Sequence, residues 1–185
     1  MNLLIVLSYV FFGSEFVLML VKRSKKNPES KQGDKGSLLI LWVTIPVVLA
    51  AGFYSANLKI LLLPYSIFMY AGILIFVSGF ILRWSAIFQL KKAFTVDVAV
   101  NEEHLLKTDG LYKIIRHPSY TGLIMILTGL SIAMSNLVSI VVITLPFFIT
   151  ISYRIKVEEK LLTDRFGDVY EKYKSGTKKI IPYLY

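Results

Sequence analysis

The chain has 185 residues, enough for one domain, and it contains no cysteine, which excludes disulfides, thiolate catalysis and cysteine-based metal sites. Its hydrophobic content of 55% and mean hydropathy of +0.62 exceed what a soluble domain of this size buries, so we expect lipid to surround much of the surface. The net charge of +9 does not indicate nucleic-acid binding, because the basic residues lie between apolar runs, as the positive-inside bias and anionic headgroups favour.

Apolar runs predict an all-α, multi-pass membrane protein of about five spans, at residues 2–21, 38–54, 60–82, 121–134 and 137–153. The first run lacks the basic segment and cleavage pattern of a signal peptide, so we expect it to be retained as a span. The third helix is expected to continue past Arg83 to Leu90. The last two runs are separated only by Ser135-Asn136, which predicts a helical hairpin whose short first arm is partly covered by protein.

The C-terminal region changes character at Glu158. Residues 158–174 predict an amphipathic helix that lies at the membrane interface or caps a pocket. Its predicted apolar side consists of Leu161, Leu162, Phe166, Val169, Tyr170 and Tyr173. We expect a single membrane-embedded domain over residues 1–185, with N-terminal spans in residues 1–77.

The orientation in the membrane follows from three basic segments, which are residues 22–35, residues 91–120 and the C-terminal tail. Five spans bring all three to one side, and the positive-inside rule predicts that this side is the cytoplasm. The N-terminus is then outside and the C-terminus cytoplasmic. We expect the plasma (inner) membrane in a prokaryote and the endoplasmic reticulum in a eukaryote.

Two polar segments carry residues suited to chemistry. The first, residues 104–120, reads HLLKTDGLYKIIRHPSY, and the second, residues 154–159, reads RIKVEE. The hairpin between them returns the chain to the same side, so the two segments should meet. Simpler interpretations exist: Arg116-His117 as interfacial anchors, Pro118 as an ordinary first helical residue, and an ion pair between Arg154 and Glu158 one turn apart. Charges near the membrane boundary are costly to desolvate, which favours a functional role.

These segments resemble the isoprenylcysteine carboxyl methyltransferase family. The resemblance covers roughly residues 78–182 and includes Leu82-Arg83-Trp84-x-Ala86 and the tail Phe166-Gly167-x-x-Tyr170-x-x-Tyr173. Arg-His-Pro-x-Tyr alone also occurs in membrane sterol reductases. Together with Gly-x-Tyr before it and Arg-x-x-x-Glu after the hairpin, it becomes specific.

The resemblance implies a catalytic core in residues 78–185. This core would have a cytoplasmic pocket for S-adenosylmethionine, with S-adenosylhomocysteine as product, and a lipid-side opening for an apolar substrate tail. The implied donor site consists of His104, Leu105, Leu106, Lys107, Tyr112, His117, Pro118, Ser119, Tyr120 and Glu158. Arg154 is implied to face the methyl acceptor, a prenylated or otherwise amphiphilic carboxylate. A glutamine upstream of this string in the animal enzymes has no clear counterpart, Asp97 or Ala99 lying nearest.

Physical chemistry is consistent with this assignment. The donor is a sulfonium with an amino-acid end, so it needs an acceptor for its ammonium, for which Glu158 is suited. It also needs donors for its carboxylate, which backbone groups at a helix N-terminus near residues 117–120 supply. Tyr112 and Tyr120 offer aromatic faces to the sulfonium or the adenine. A carboxylate acceptor is already ionised and needs no general base, so we expect Arg154 to orient it and His117 to be structural or cofactor-binding.

Other interpretations stay open at this point. A methyltransferase could instead use a phospholipid amine or a small thiol as acceptor. The protein could also be an NADPH-dependent membrane reductase. The least favoured alternative is a non-enzymatic scaffold or transporter component. Glu15 inside the first span is a functional candidate, although a protonated or interface-facing carboxyl is the simpler interpretation. Snorkelling is the simple account of Arg83. The oligomeric state and the natural acceptor are left open.

Overall fold

The computed structural model describes residues 2–21, 31–32, 35–90, 99–100 and 106–181. Within them, helices dominate, and the predicted all-α class is confirmed. The α-helices are α1 Asn2–Val21, α2 Lys35–Asn57, α3 Tyr65–Leu90, α4 Pro118–Ala133, α5 Leu137–Phe166 and α6 Asp168–Gly176. A 3₁₀ turn covers Gly110–Lys113, and two short strands, β1 Lys31–Gln32 and β2 Ala99–Val100, pair antiparallel.

Four of these helices are long and apolar enough to cross a membrane, namely α1, α2, α3 and α5. The fifth predicted span, α4, is shorter, at 16 residues. It is enclosed by protein, with Leu123, Ile126, Leu127 and Leu130 almost completely buried. The prediction of about five spans with a protein-covered hairpin arm is therefore confirmed, and the core of the bundle lies around α4.

Glycines allow α3 and α4 to pack backbone against backbone. Gly72 and Gly79 on α3 face Gly129 and Gly122 on α4, each pair of glycines on one helix being two turns apart. A Cβ at Gly122 would lie 2.6 Å from the backbone nitrogen of Arg83 and 2.7 Å from the carbonyl oxygen of Gly79. Small residues at such contacts are what lets membrane helices approach closely. The N-terminal turn of α4 is thereby held directly against Arg83.

The turn between α4 and α5 is as tight as predicted. Asn136, fully buried, caps α5 by accepting a hydrogen bond from the backbone N–H of Ser139 at 2.9 Å, and its amide donates to the carbonyl of Ile60 at 2.7 Å. The backbone of Leu63 donates to the carbonyl of Ser135 at 2.9 Å. Residues 60–64 are therefore used by this turn, and the prediction that the third helix starts at residue 60 is wrong: α3 starts at Tyr65.

The C-terminal prediction was partly wrong. Residues 158–166 continue α5 as one helix, since no glycine or proline occurs between Pro146 and Gly167. The break occurs at Gly167, whose φ of 52° is tolerated by glycine, and only then does the short α6 begin. On α6, Tyr170 is fully buried as expected, but Val169 is 64% exposed and does not belong to the packed side.

Candidate functional site

The two polar segments meet at the end of the bundle where α4 begins. Arg116 and His117 immediately precede α4, and α5 returns along it to Glu158 and Glu159. The Nε2 atom of His117 lies 3.3 Å from Oε1 of Glu159, and its Nδ1 atom lies 3.9 Å from Oε1 of Glu158. The predicted juxtaposition of the segments is confirmed.

Arg154 lies at the centre of this end of the bundle. The residue is 2% exposed. Its Nε atom donates to the Tyr120 hydroxyl at 3.0 Å, and its Nη1 atom donates to the Ser37 hydroxyl at 2.9 Å. The Arg154 guanidinium on α5 is thus held by hydroxyl groups from two other helices, α4 and α2.

Glu159 is a site-forming residue that sequence reasoning missed. Its side chain is 10% exposed and accepts a hydrogen bond from Arg116 Nε at 2.9 Å, with Lys179 Nζ at 3.6 Å. Adjacent positions on a helix point about 100° apart, so the neighbouring Glu158 faces another direction, and its side chain is 30% exposed. Glu159 therefore belongs to a buried ionic cluster, while Glu158 is partly exposed.

The C-terminal tail holds the backbone that leads into α4. The backbone N–H of Arg116 donates to the carbonyl of Lys178 at 2.8 Å, and that of His117 donates to the carbonyl of Lys179 at 3.0 Å. The hydroxyl of Thr121 donates to the carbonyl of Ile180 at 2.9 Å. The tail thus fixes the conformation of residues 116–121, a segment that contains four of the ten donor residues implied by the family resemblance.

Tyr112, in the 3₁₀ turn, is held between α3 and α6. Its hydroxyl donates to the carbonyl of Ala86 at 3.3 Å, and its own carbonyl accepts from the Tyr173 hydroxyl at 2.6 Å. Burial raises the pKa of the Tyr112 phenol, and the negative charge of Glu158 raises that pKa further, so the hydroxyl stays a donor. Gln89, which was not predicted, supports this turn by accepting from the backbone N–H of Leu111 at 2.9 Å.

The remaining predicted donor residues lie at the edge of the described structure. Leu106 is half-buried, and Lys107 pairs with Asp109 at 2.8 Å, a hydrogen bond that lowers the pKa of the Asp109 carboxyl. His104 and Leu105 lie outside the described residues, as does Asp97. Ala99 is in β2.

Arg83 and Glu15 form an ion pair inside the bundle. The Nε and Nη2 atoms of Arg83 each lie 2.6 Å from an oxygen of Glu15. The Nη1 atom of Arg83 donates to Ser119, to its hydroxyl at 3.0 Å and to its carbonyl at 3.2 Å. Arg83 is 6% and Glu15 7% exposed. The snorkelling interpretation of Arg83 is therefore wrong, and Glu15 faces the protein interior rather than the membrane interface.

Comparison with known proteins identifies the family. The sequence model of the isoprenylcysteine carboxyl methyltransferase family matches residues 72–164. A probable protein-S-isoprenylcysteine O-methyltransferase of Oryza sativa subsp. indica is 30% identical over 183 residues, which cover 95% of this chain and 92% of the rice protein. The chain belongs to the isoprenylcysteine carboxyl methyltransferase family.

Two further relatives show how far the likeness extends. The protein-S-isoprenylcysteine O-methyltransferase of Schizosaccharomyces pombe is 35% identical over 122 residues, 65% of this chain, and the match spans 52% of that enzyme. A solved structure of the eukaryotic intramembrane Ras methyltransferase of this family superposes with a TM-score of 0.66 at 22% identity, over 80% of this chain and 61% of that chain. The chain thus shares the family's fold and spans about half the length of the fission yeast relative.

The site of this family member also draws on residues outside the matched segment. Arg83, Ser119 and Arg154 lie within residues 72–164. Their partners Glu15 and Ser37 come from α1 and α2. The N-terminal helices therefore contribute buried polar contacts to the family's core segment, which the sequence did not reveal.

Proposed function

We propose that this chain is an S-adenosylmethionine-dependent methyltransferase that esterifies the carboxylate of an isoprenylcysteine-like or other amphiphilic acceptor. The observation that carries the proposal is the meeting of two α5 residues with the start of α4. The buried Arg154 donates to Tyr120, and the partly exposed carboxylate of Glu158 lies 3.9 Å from His117 Nδ1. The names of the fission yeast and rice relatives, both protein-S-isoprenylcysteine O-methyltransferases, agree with it.

The residues at the start of α4 fit the amino-acid end of S-adenosylmethionine. Among the described residues, the His117 side chain at the N-cap of α4 makes no capping hydrogen bond. The amides of Ser119 and Tyr120 in the first helical turn are then suited to bind a carboxylate, which helix N-termini favour. Glu158 is suited to bind the ammonium group. When bound, S-adenosylmethionine supplies a methyl group made electrophilic by the sulfonium.

The remaining donor contacts are assigned by the same proposal. Tyr112 is placed beside the sulfonium or the adenine, while His117 and Pro118 shape the start of the helix. His104, Leu105, Leu106 and Lys107 complete the set in the segment before the 3₁₀ turn.

Arg154 is assigned to the acceptor carboxylate. The guanidinium is oriented by hydrogen bonds to the hydroxyls of Tyr120 and Ser37. A guanidinium has five N–H donors, so a fixed one can present a fork to a carboxylate. An ionised acceptor needs no base, and His117, held between Glu158 and Glu159, serves to position the backbone at the start of α4. Exclusion of water and alignment of the acceptor with the donor are what these residues contribute.

The membrane orientation is part of the proposal. We assign the end of the bundle where α4 begins to the cytoplasm, because the sequence has basic segments in residues 22–35, between α1 and α2, in residues 91–120, which lead into α4, and in the tail. The apolar tail of the acceptor would then enter from the lipid while its carboxylate meets Arg154. The membrane is the plasma membrane in a prokaryote and the endoplasmic reticulum in a eukaryote.

Transfer of a labelled methyl group to a farnesylated cysteine analogue tests the proposed function. Purified protein should form a base-labile ester with the free acid and no product with the corresponding amide. Arg154→Ala should reduce kcat/KM by about 100-fold because the acceptor is misaligned, while the affinity for S-adenosylhomocysteine stays unchanged. If the wild type and Arg154→Ala instead label a phospholipid amine or a thiol at equal rates, the acceptor is not a carboxylate. If the protein oxidises NADPH and transfers no methyl group, the proposed function is wrong and the protein is a reductase.

A further inference from the structure

Glu15 on α1 is a buried ionisable residue that the proposed chemistry does not use. It lies six residues before the end of α1, about 9 Å along the helix, and Arg83 lies at a similar distance before the end of α3. Both side chains are therefore inside the bundle rather than at its end. Burying charged residues at such positions has a large desolvation cost, which pairing only offsets. A bidentate ion pair at this place, with both contacts at 2.6 Å, therefore suggests a role beyond stability.

The third nitrogen of the guanidinium connects this pair to the proposed donor site. Nη1 of Arg83 donates to the hydroxyl and to the carbonyl of Ser119, the second residue of α4. The backbone of Arg83 is fixed as well, since a Cβ at Gly122 would lie 2.6 Å from its nitrogen. A small displacement of the guanidinium therefore moves the first turn of α4.

The charge of Glu15 is what allows Arg83 to occupy this place. A cation beside a helix N-terminus is unfavourable, because that end of the helix dipole is itself positive. With Glu15 in a two-point contact, Arg83 brings no net charge to Ser119 and still donates hydrogen bonds to it. Without Glu15, a guanidinium 6% exposed would keep its charge beside the start of α4.

We propose that Glu15 and Arg83 are positioning residues for the methyl donor: α1 fixes the Arg83 guanidinium, and Arg83 fixes Ser119 and with it the first-turn amides of α4. The inference rests on the proposed function, which assigns those amides to the donor carboxylate. It extends that function by making α1, which lies outside the matched family segment, a determinant of donor affinity.

Two variants separate positioning from mere stabilisation. Arg83→Lys keeps the ion pair with Glu15, but a single ammonium group cannot also donate the two hydrogen bonds to Ser119. The double substitution Glu15→Leu with Arg83→Met replaces the buried pair by apolar side chains, a change that often preserves or raises stability. Ser14→Ala is the matched control on α1, because the Ser14 hydroxyl donates locally to the carbonyl of Phe11.

The readouts are calorimetric titration with S-adenosylhomocysteine, thermal unfolding in detergent, and KM for a farnesylated cysteine analogue. We expect both variants to unfold as cooperatively as the wild type, and to bind S-adenosylhomocysteine about tenfold or more weakly, the size of one lost charged hydrogen bond. The acceptor KM and the Ser14→Ala control should be unchanged.

Opposite outcomes overturn different claims. Unchanged S-adenosylhomocysteine affinity in Arg83→Lys, or in the double variant, would show that the pair is structural and overturn this inference alone. If the double variant does not fold, the affinity of Arg83→Lys decides. A folded wild type that binds no S-adenosylhomocysteine would overturn the proposed function and this inference with it.

Discussion

The adjacent carboxylates Glu158 and Glu159 are predicted to have different roles, and replacing each by glutamine separates them. The side chain of Glu159 is 10% exposed and lies 2.9 Å from Arg116 Nε and 3.3 Å from His117 Nε2. Glu159→Gln would leave the Arg116 charge buried without its counter-charge, which costs about 3–5 kcal/mol. For a chain of this length that is a fall of roughly 6–20 °C in Tm.

Glu158→Gln should have a much smaller effect on stability. The Glu158 side chain is 30% exposed and its distance to His117 Nδ1 is 3.9 Å, so the contact is worth about 0–1 kcal/mol. Thermal unfolding of the detergent-purified variants, followed by circular dichroism, measures the difference. Glu171→Gln is the matched control, because Glu171 is an exposed carboxylate paired with Lys174. Similar losses of Tm in Glu158→Gln and Glu159→Gln would refute the division of roles.

Three further predictions concern the packing of α3 against α4, the Tyr173 phenol on α6, and the junction of α5 and α6. Gly122→Leu should lower Tm, because the added Cβ would lie 2.6 Å from the backbone of α3. Gly13→Leu is the control and should not lower Tm, because no atom lies within 4 Å of the added Cβ. Equal Tm values for the two variants would contradict the close packing of α3 and α4. Burial raises the pKa of Tyr173 from 10.0 to about 12, so the stability from its protonated phenol is present below pH about 10 and is lost as the pH rises towards 12. Tyr173→Phe should flatten that fall in Tm, and an unchanged alkaline fall would refute the assignment. Gly167→Ala forces an alanine to a φ of 52° and should cost about 1–3 kcal/mol in denaturant unfolding, whereas Gly176→Ala, where the added Cβ meets nothing within 4 Å, should cost little.

Hydropathy predicted the spans because lipid exposure leaves a long apolar run in the sequence. It placed the start of the third helix at residue 60, since Leu61, Leu62 and Leu63 are as apolar as the helix that follows. Their backbone hydrogen bonds to the turn at Ser135 depend on residues far along the chain, which no local pattern records. The end of α5 was also predicted too early. The change to polar residues at Glu158 resembled the start of a new helix, but α5 continues to Phe166 and is interrupted only at Gly167.

The site was predictable where its residues are close in sequence or share a recognisable motif. The proximity of His117, Tyr120, Arg154 and Glu158 was predictable because a hairpin joins the two polar segments that contain them. The partners Glu15 and Ser37 were not, because the contacts Arg83–Glu15 and Arg154–Ser37 join residues 68 and 117 positions apart. A lone charge in an apolar run shows that a partner is needed without showing which residue it is.

Calorimetric titration of folded, detergent-purified protein with S-adenosylhomocysteine tests the central claim most directly. We predict saturable micromolar binding to the wild type and loss of that binding in Glu158→Gln at unchanged Tm. The absence of binding in folded wild-type protein, or equal affinity in Glu158→Gln, would contradict a donor site formed by α4 and Glu158.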